Sequence, residues 1–342
     1  MAVRGLILHS VRYVIYGAGA IGGSIGARLF QKGQDVTLIC RGAHLEAVKR
    51  DGLLFRTPDE ATTLRIAAAG SPAEIEWCGD EVVLLAMKSQ DTAPALQELR
   101  AAAGDVPVIC VQNGVANERM ALRVFSQVYA MLVVLPATHL VPGEVLLHSS
   151  PLGGVLDCGR YPDGKDPLIE EVAADLREAG FGSKPDPLAM RLKHAKLLTN
   201  LGNVVQALCG DGPAGDLVRR VRDEAMLVYE AAIVDCAPPE ELVARHNGIT
   251  VKPISGAAGR AGGSTWQSLE RGGSLETDYL NGEIALLGAL HGIATPFNRM
   301  LQLAAAEAVR EGRRPGFYTV EELMARVSEV DSAQLAGFGE ER

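Results

Sequence analysis

The sequence lacks three features that would assign it to a specialised class of protein. It has no long hydrophobic run, because the apolar patch at residues 5–8 is far shorter than a signal-peptide core or a membrane span. It has no basic excess, since 33 lysines and arginines face 42 aspartates and glutamates and the formal net charge is -9. No internal repeat stands out. We therefore expect neither nucleic acid nor a membrane surface as a partner.

Cysteine is also scarce and irregularly spaced. The six cysteines are Cys40, Cys78, Cys110, Cys158, Cys209 and Cys236. Without CxxC spacing they argue against both a structural zinc site and a disulfide framework. We expect reduced thiols, no bound metal and a cytoplasmic location.

Apolar residues, by contrast, are abundant enough for a large core. The chain has 342 residues, of which 47% are hydrophobic, and is long enough for two domains. Strand-like and helix-like segments alternate in the first half, which predicts an α/β fold with a Rossmann-type doubly wound parallel sheet. The predicted strands are 11–16, 35–40, 81–87 and 107–111, and the predicted helices are 21–31, 43–51 and 93–103.

The pattern changes towards the C-terminal half. Weaker strand-like segments occur at 144–148 and 154–157, and from about residue 187 the pattern is almost wholly helical. Pro185 and Pro187 favour a hinge, because proline disfavours helix at and before its own position. We predict a Rossmann-type domain at 1–186 and an all-helical domain at 187–342.

A glycine-rich motif directly follows the first predicted strand. It consists of Gly17, Ala18, Gly19, Ala20, Ile21 and Gly22. Gly17 permits a tight turn, Gly19 lets backbone N–H groups approach a pyrophosphate, and Gly22 allows close packing of helix on sheet. A purely structural glycine turn is the alternative. The position between a strand and a helix, with a second strand at the expected distance, favours dinucleotide binding.

The end of the second predicted strand bears on the choice of dinucleotide. An acidic residue there would hold the ribose of NAD, but this chain has Arg41. Arginine suits a 2′-phosphate, so the sequence favours NADP(H). A solvated surface arginine is the alternative.

Two further loops follow the carboxyl ends of predicted strands, the edge at which ligands bind in open α/β sheets. They contain Lys88 and Asn113. Lys88 could face the cofactor, and Asn113 could hydrogen-bond both cofactor and substrate. Ordinary turn chemistry is the alternative for each, since Asn-Gly is a common turn dipeptide.

The segment 191–208 is predicted to be one helix with apolar side chains around most of its circumference. Lys196, Asn200 and Asn203 fall within about 60° of one another at about 100° per residue. A cation on an otherwise buried helix needs a partner or a purpose, so this polar strip is a candidate ligand site. Alternatively, Lys196 reaches solvent and the asparagines cap a neighbouring loop.

Two later polar clusters have structural interpretations of their own. Ser264 with Gln267 has the spacing of a capping box, and Glu276 with Asp278 could be first-turn acids of a helix. A capping serine can still present its hydroxyl to a ligand. Glu276 would also be a natural counter-charge for Lys196.

These pieces together resemble the ketopantoate reductases (2-dehydropantoate 2-reductases) from about residue 11 to residue 310. The matching pieces are 17–22 with Arg41, 87–88, 112–114, Lys196 with Asn200, Ser264, 275–282 and 292–296. The resemblance implies NADPH-dependent reduction of a 2-oxo acid to a 2-hydroxy acid, with ketopantoate to pantoate favoured. A small-molecule 2-oxo acid would be the partner, in the pathway to pantothenate. A homodimer is left open.

The resemblance also implies roles for individual residues. Lys196 would be the general acid, and Glu276 would orient it and lie near the cofactor ribose. The substrate would be held by Asn113, Asn200 and Ser264, while Lys88 would contact NADP. Asn203 is a further candidate for substrate binding through its place on the polar strip, not through the resemblance.

The chain departs from the family pattern at three positions near the substrate. Ser268 stands where an aspartate is usual, Ala261 lies where an asparagine is usual, and Asn203 follows Asn200 by three residues rather than four. A paralogous reductase of another small branched carbonyl compound therefore stays open. A non-catalytic NADP(H)-binding sensor is the alternative from a different class.

Overall fold

The computed structural model describes residues 11–257 and 262–328, which form two compact units. Within these residues the first unit comprises 11–113, 117–190 and 243–257, and the second comprises 114–116, 191–242 and 262–328. The domain limits 1–186 and 187–342 stay a prediction, to which the structure adds that 243–257 lie in the first unit. The apolar patch at 5–8 and Ala261 lie outside the described residues.

The strands formed by the described residues all lie in the first unit. They are β1 (Arg12–Tyr16), β2 (Asp35–Ile39), β3 (Leu53–Arg56), β4 (Ala61–Leu64), β5 (Ala67–Ala69), β6 (Glu81–Leu85), β7 (Val108–Cys110), β8 (Val128–Met131), β9 (Ala137–Thr138), β10 (Glu144–Leu147) and β11 (Cys158–Arg160).

The α-helices are distributed over both units. They are α1 (Ala20–Gln31), α2 (Gly42–Asp51), α3 (Thr92–Ala103), α4 (Asn117–Leu122), α5 (Pro167–Glu178), α6 (Ala189–Asn200), α7 (Asn203–Cys209), α8 (Gly215–Ala231), α9 (Pro239–His246), α10 (Ser264–Glu270), α11 (Asn281–His291) and α12 (Pro296–Arg310).

The main sheet has seven strands in the order β11-β8-β7-β6-β1-β2-β5. All neighbours are parallel except β11, which is antiparallel to β8. The Rossmann-type sheet predicted from the sequence is confirmed. From β1 the chain adds β2 and β5 on one side of the sheet and later β6, β7 and β8 on the other. The loops after β1 and β6 therefore lie next to each other, at the switch point where such sheets bind ligands.

Helices cover both faces of this sheet, and β1 shows why its sequence is almost continuously apolar. Tyr13 and Ile15 are buried on one face with Ile25 of α1, while Val14 is buried on the other face with Leu96 of α3. In a parallel sheet whose two faces are both covered, no side chains of a strand face solvent, so polar and apolar residues do not alternate along it. This is the physical reason that these strands are recognisable in the sequence.

A second sheet of the first unit was not predicted, although the strand expected at 144–148 is confirmed as its strand β10. It has the order β4-β3-β10-β9, with β3 and β10 parallel and the outer pairs antiparallel. Helix α5 was also missed, although Asp166 caps it by accepting a hydrogen bond from Ile169 N at 3.1 Å. The strand predicted at 154–157 is wrong: β11 begins at Cys158, and Val155 forms only isolated bridges.

Residues 243–257 are tied to the first unit by an ion pair. Arg245 contacts both carboxylate oxygens of Asp157 at 2.6 Å, and the Asp157 side chain is fully buried. The backbone N–H of Lys184 donates to the same carboxylate at 3.0 Å. A buried carboxylate needs such partners, because removing one of them typically costs about 3–5 kcal/mol.

The described part of the second unit is helical, which confirms the predicted all-helical region. Its core includes Leu201, Val221, Ile284 and Leu301, each fully buried. Among the described residues of the whole chain, no helix is long and apolar enough to cross a membrane. All six cysteines are free thiols.

Candidate active site

The glycine-rich turn joins β1 to α1 as predicted. Gly17 has φ +104°, and a Cβ there would lie 2.5 Å from the backbone nitrogen of Met87. A Cβ on Gly22 would collide with the carbonyl oxygen of Gly17. Gly19 differs, because a Cβ there would meet nothing within 4 Å. Gly17 and Gly22 therefore serve packing, whereas Gly19 leaves its backbone open to a ligand.

The first turn of α1 continues this surface. Ala20 and Ile21 are half-buried there, and the turn contains no acidic side chain. An uncapped helix N-terminus without a carboxylate attracts an anion, because its N–H groups are unpaired and the helix dipole is positive there. The turn and helix therefore fit the pyrophosphate of a dinucleotide.

Arg41 is the residue that precedes α2, at the carboxyl end of β2. Its guanidinium lies 2.9 Å from a carboxylate oxygen of Glu98 and 3.3 Å from the hydroxyl of Tyr16. Tyr16 also donates to Glu98 at 2.6 Å, and burial and this carboxylate raise the pKa of the tyrosine. The Arg41 side chain is 63% exposed. It is accessible to a phosphate, but Glu98 competes for it.

Lys88 and Asn113 follow β6 and β7 as predicted, and both side chains are half-buried. Lys88 precedes a short 3-10 helix, Ser89–Asp91. The carbonyl of Asn113 accepts hydrogen bonds from Asn117 Nδ2 at 3.3 Å and Ser89 Oγ at 3.5 Å. The two loops are therefore joined, as expected for loops that follow the neighbouring parallel strands β6 and β7.

A buried polar network beneath these loops was missed by the sequence reasoning. Asn117 donates to Ser89 Oγ at 3.1 Å and accepts from Thr92 Oγ1 at 2.8 Å, and Thr92 accepts from Gln112 Nε2 at 3.1 Å. The available signal was four polar residues placed shortly after two buried strands. Their hydrogen bonds fix the loops that present Lys88 and Asn113.

The single helix predicted over 191–208 is wrong in one respect. It is interrupted at Leu201 and Gly202, which separate α6 from α7. A Cβ on Gly202 would lie 3.2 Å from Val218 of α8, so the glycine permits close approach of α8 at the break. The apolar periodicity continues across the break, which is why the sequence pattern did not show it.

Asn200 and Asn203 nevertheless remain neighbours across the interruption. Asn203 Nδ2 lies 3.5 Å from Asn200 Oδ1, and Lys196 lies one turn before Asn200 on α6. Lys196 is half-buried rather than buried. The more deeply buried lysine of α6 is Lys193, which is 3% exposed and was not singled out from the sequence.

Asn200 has an unusual hydrogen-bonding state. The residue is 5% exposed, and among the described residues its Nδ2 has no acceptor. Leaving a buried amide donor without a partner costs about 1–3 kcal/mol. A ligand oxygen would remove that cost, so this amide is the strongest structural indication of a substrate site on α6.

Helix α10 begins next to the same asparagines. The N–H of Gly263 donates to Gln206 Oε1 at 2.9 Å, and a Cβ on Gly263 would lie 3.8 Å from Asn203 Oδ1. Ser264 is exposed and is the first residue of the helix. The capping-box interpretation is wrong, because Gly263 is the N-cap and no side chain caps the helix.

Ser268 stands where the family resemblance leads one to expect an aspartate. It is buried, and its hydroxyl donates to the carbonyl oxygen of Ser264 at 3.0 Å within α10. The serine hydroxyl therefore forms its hydrogen bond within its own helix and supplies no charge to a ligand.

Glu276 is half-buried and precedes a 3-10 helix, Thr277–Tyr279. The adjoining Asn281, at the start of α11, donates to the carbonyl oxygen of Leu201 at 3.3 Å and to Asn298 Oδ1 at 3.1 Å. Asn281 thus fixes the start of α11 against the break between α6 and α7. The pairing of Glu276 with Lys196 stays a prediction.

Asn298 extends this network to a buried carboxylate. Glu224 of α8 accepts from Asn298 Nδ2 at 2.7 Å and from the backbone N–H groups of Phe297 and Asn298 at 2.8 and 2.9 Å. It therefore caps α12 from a neighbouring helix. This cap was not predicted, because the carboxylate lies more than 70 residues away in sequence.

Two family models match the chain. The model described as ketopantoate reductase PanE/ApbA matches residues 13–161, and its C-terminal counterpart matches residues 190–308. The chain belongs to the ketopantoate reductase family. It is an oxidoreductase, and the family together with the glycine-rich turn indicates a nicotinamide cofactor and a small-molecule substrate.

Individual relatives of this ketopantoate reductase family member agree. The 2-dehydropantoate 2-reductase of Pyrococcus horikoshii is 27% identical over 301 residues, covering 85% of this chain and 95% of the relative. A crystal structure of a PanE/ApbA family ketopantoate reductase from Ralstonia eutropha is 27% identical, with TM-score 0.73, covering 88% of this chain and 99% of that one. D-mandelate dehydrogenase with NADH and anilino(oxo)acetate is 22% identical, with TM-score 0.76 and coverage of 88% and 99%, which shows the shared fold.

Proposed function

We propose that this protein is an NADPH-dependent 2-oxo acid reductase that converts ketopantoate to pantoate. When bound, the reduced nicotinamide supplies a hydride to the carbonyl carbon of the substrate. Gly19 and the first turn of α1 would hold the pyrophosphate, Arg41 the 2′-phosphate, and Lys88 a further part of NADP. Asn113 would contact both cofactor and substrate.

The observation that supports a substrate site most directly is the Nδ2 of Asn200, which has no acceptor within 11–257 and 262–328. Asn200, Asn203 and the exposed Ser264 would donate hydrogen bonds to oxygen atoms of the oxo acid. Lys196, one turn away on α6, would hold a proton on Nζ and deliver it to the carbonyl oxygen as negative charge develops there. Glu276 would favour the charged form of Lys196.

The departure at Ser268 bears on which oxo acid fits. A serine hydroxyl is uncharged, and this one donates within α10, so the position offers a ligand neither the charge of an aspartate nor a free donor. The pocket would therefore suit a compact branched 2-oxo acid without requiring that contact. A panel of 2-oxo acids of graded size tests this part of the proposal.

The proposal is tested by following NADPH oxidation with ketopantoate and the panel. Lys196→Ala should lower kcat by about 10²- to 10⁴-fold, the usual effect of losing a general acid, with NADPH affinity retained. Lys193→Met is the control, because it removes the other lysine of the same helix, and it should retain turnover. If Lys193→Met abolished turnover and Lys196→Ala did not, the general acid would be wrongly assigned.

A further inference from the structure

His44 makes two directional hydrogen bonds from a buried position. It lies in the first turn of α2, three residues after Arg41, and is 8% exposed. Its Nδ1 accepts the backbone N–H of Gly143 at 2.9 Å, and its Nε2 lies 2.9 Å from the carbonyl oxygen of Ala18. The ring therefore links α2 to the glycine-rich turn and to the turn before β10.

These partners determine the protonation state of the ring. A backbone amide can only donate, so Nδ1 must carry a lone pair, and a carbonyl can only accept, so Nε2 must carry the hydrogen. An imidazolium would place two donors, Nδ1–H and Gly143 N–H, against each other. Burial and the ring of His139, whose centroid lies 4.2 Å away, both lower the pKa of His44, in agreement with a neutral ring.

The bond to Ala18 fixes a peptide group of the cofactor turn. The peptide joining Ala18 to Gly19 is planar, so its C=O and N–H point in opposite directions. Because the oxygen points to His44, the N–H of Gly19 points away from the ring. Gly19 is also the glycine of the motif at which an added Cβ would meet nothing within 4 Å.

We propose that His44 is a positioning residue that holds the Ala18–Gly19 peptide so that the Gly19 N–H faces the cofactor pyrophosphate. This inference rests on the proposed function, because it requires a dinucleotide at the turn. It assigns His44 no contact with cofactor or substrate. Since the pyrophosphate is common to NADPH and NADH, His44 should contribute equally to the binding of both.

Two amide substitutions separate the two bonds of the ring. In His44→Asn the side-chain oxygen replaces Nδ1 and can accept from Gly143, but the donor to Ala18 is lost. In His44→Gln the amide nitrogen replaces Nε2 and can donate to Ala18, but the acceptor for Gly143 is lost. Each variant loses one hydrogen bond, so a merely structural role predicts similar effects of the two on melting temperature and on binding.

The experiment is fluorescence titration of each variant with NADPH and with NADH. His44→Asn should weaken both nucleotides by the same factor, about three- to tenfold, whereas His44→Gln should bind within about twofold of the unmutated protein. Equal affinity of both variants, whether weakened or unchanged, would overturn the inference. Absence of nucleotide binding by the unmutated protein would instead overturn the proposed function and this inference together.

A measurement on the unmutated protein covers the case in which His44→Asn does not fold. Nitrogen NMR of the labelled protein near neutral pH should show His44 neutral, with the proton on Nε2, and NADPH should slow exchange of that proton. A proton on Nδ1, a charged ring, or an exchange rate indifferent to NADPH would contradict the assignment.

Discussion

Leucine at Asn200 and leucine at Asn281 should have opposite consequences, although both asparagines are buried in the second unit. Asn200 Nδ2 has no acceptor among the described residues, and Asn200 Oδ1 receives only a long contact of 3.5 Å from Asn203. Asn281 Nδ2, in contrast, donates to Leu201 O and Asn298 Oδ1. Leucine therefore removes a donor without an acceptor at position 200, but removes a donor that serves two acceptors at position 281.

The magnitudes follow from these hydrogen bonds. Asn200→Leu removes a buried donor whose isolation costs about 1–3 kcal/mol and loses one weak contact, so the free energy of unfolding should stay constant or rise. Asn281→Leu deprives two buried acceptors of their donor. Because the Oδ1 of Asn281 has no donor in the described part of the chain, the net loss should be about 1–3 kcal/mol.

For Asn200→Leu, the catalytic activity should fall although the stability does not. If its amide serves the substrate, Asn200→Leu should lower kcat/KM by about 5- to 150-fold, the equivalent of one buried hydrogen bond, while NADPH affinity is unchanged. Urea unfolding and steady-state kinetics of both variants provide the test. A less stable Asn200→Leu protein with normal kcat/KM would refute the reasoning, because the asparagine would then be structural.

Three further predictions concern the cofactor turn and pH. Glu98→Gln should raise the NADPH to NADH affinity ratio a few-fold by releasing Arg41, and Arg41→Ala should abolish the preference, both by fluorescence titration. Burial lowers the pKa of His44 and His194 from 6.5, so below about pH 6.5 the unfolded chain takes up these protons first. Thermal melts should therefore show stability falling between about pH 7 and about pH 5; constant melting temperatures would contradict this. Gly17→Ala should weaken both folding and nucleotide binding, because its Cβ would lie 2.5 Å from Met87 N, and normal titration curves would disprove it.

The parts of the fold that could be predicted are those in which local pattern and tertiary environment agree. Strands β1, β2, β6 and β7 are apolar because helices cover both faces of their sheet, and the glycine-rich turn has its own backbone requirement. The hairpin of β3 and β4 was missed, since it belongs to a second sheet that lies outside the alternating pattern.

The sequence predicted on which elements several candidate residues lie but not their hydrogen bonds, and their roles in a site stay predictions. Arg41 was correctly placed after β2, yet its competition with Glu98 depends on a residue 57 positions later. His44 was not singled out from the sequence, because its partners Ala18 and Gly143 are brought to it only by the fold. Hydrogen bonds between distant segments leave no periodic signal in the sequence.

The ion pair of Asp157 with Arg245 limits how this chain can be divided. A gene fragment ending near residue 186 would encode every strand of the nucleotide-binding sheet but would omit Arg245 and leave a fully buried carboxylate without its cation. The cofactor module is thus not a contiguous stretch of sequence. Recombination that exchanges it for another would have to transfer two separate pieces of the chain together, which favours inheritance of the whole protein as one unit.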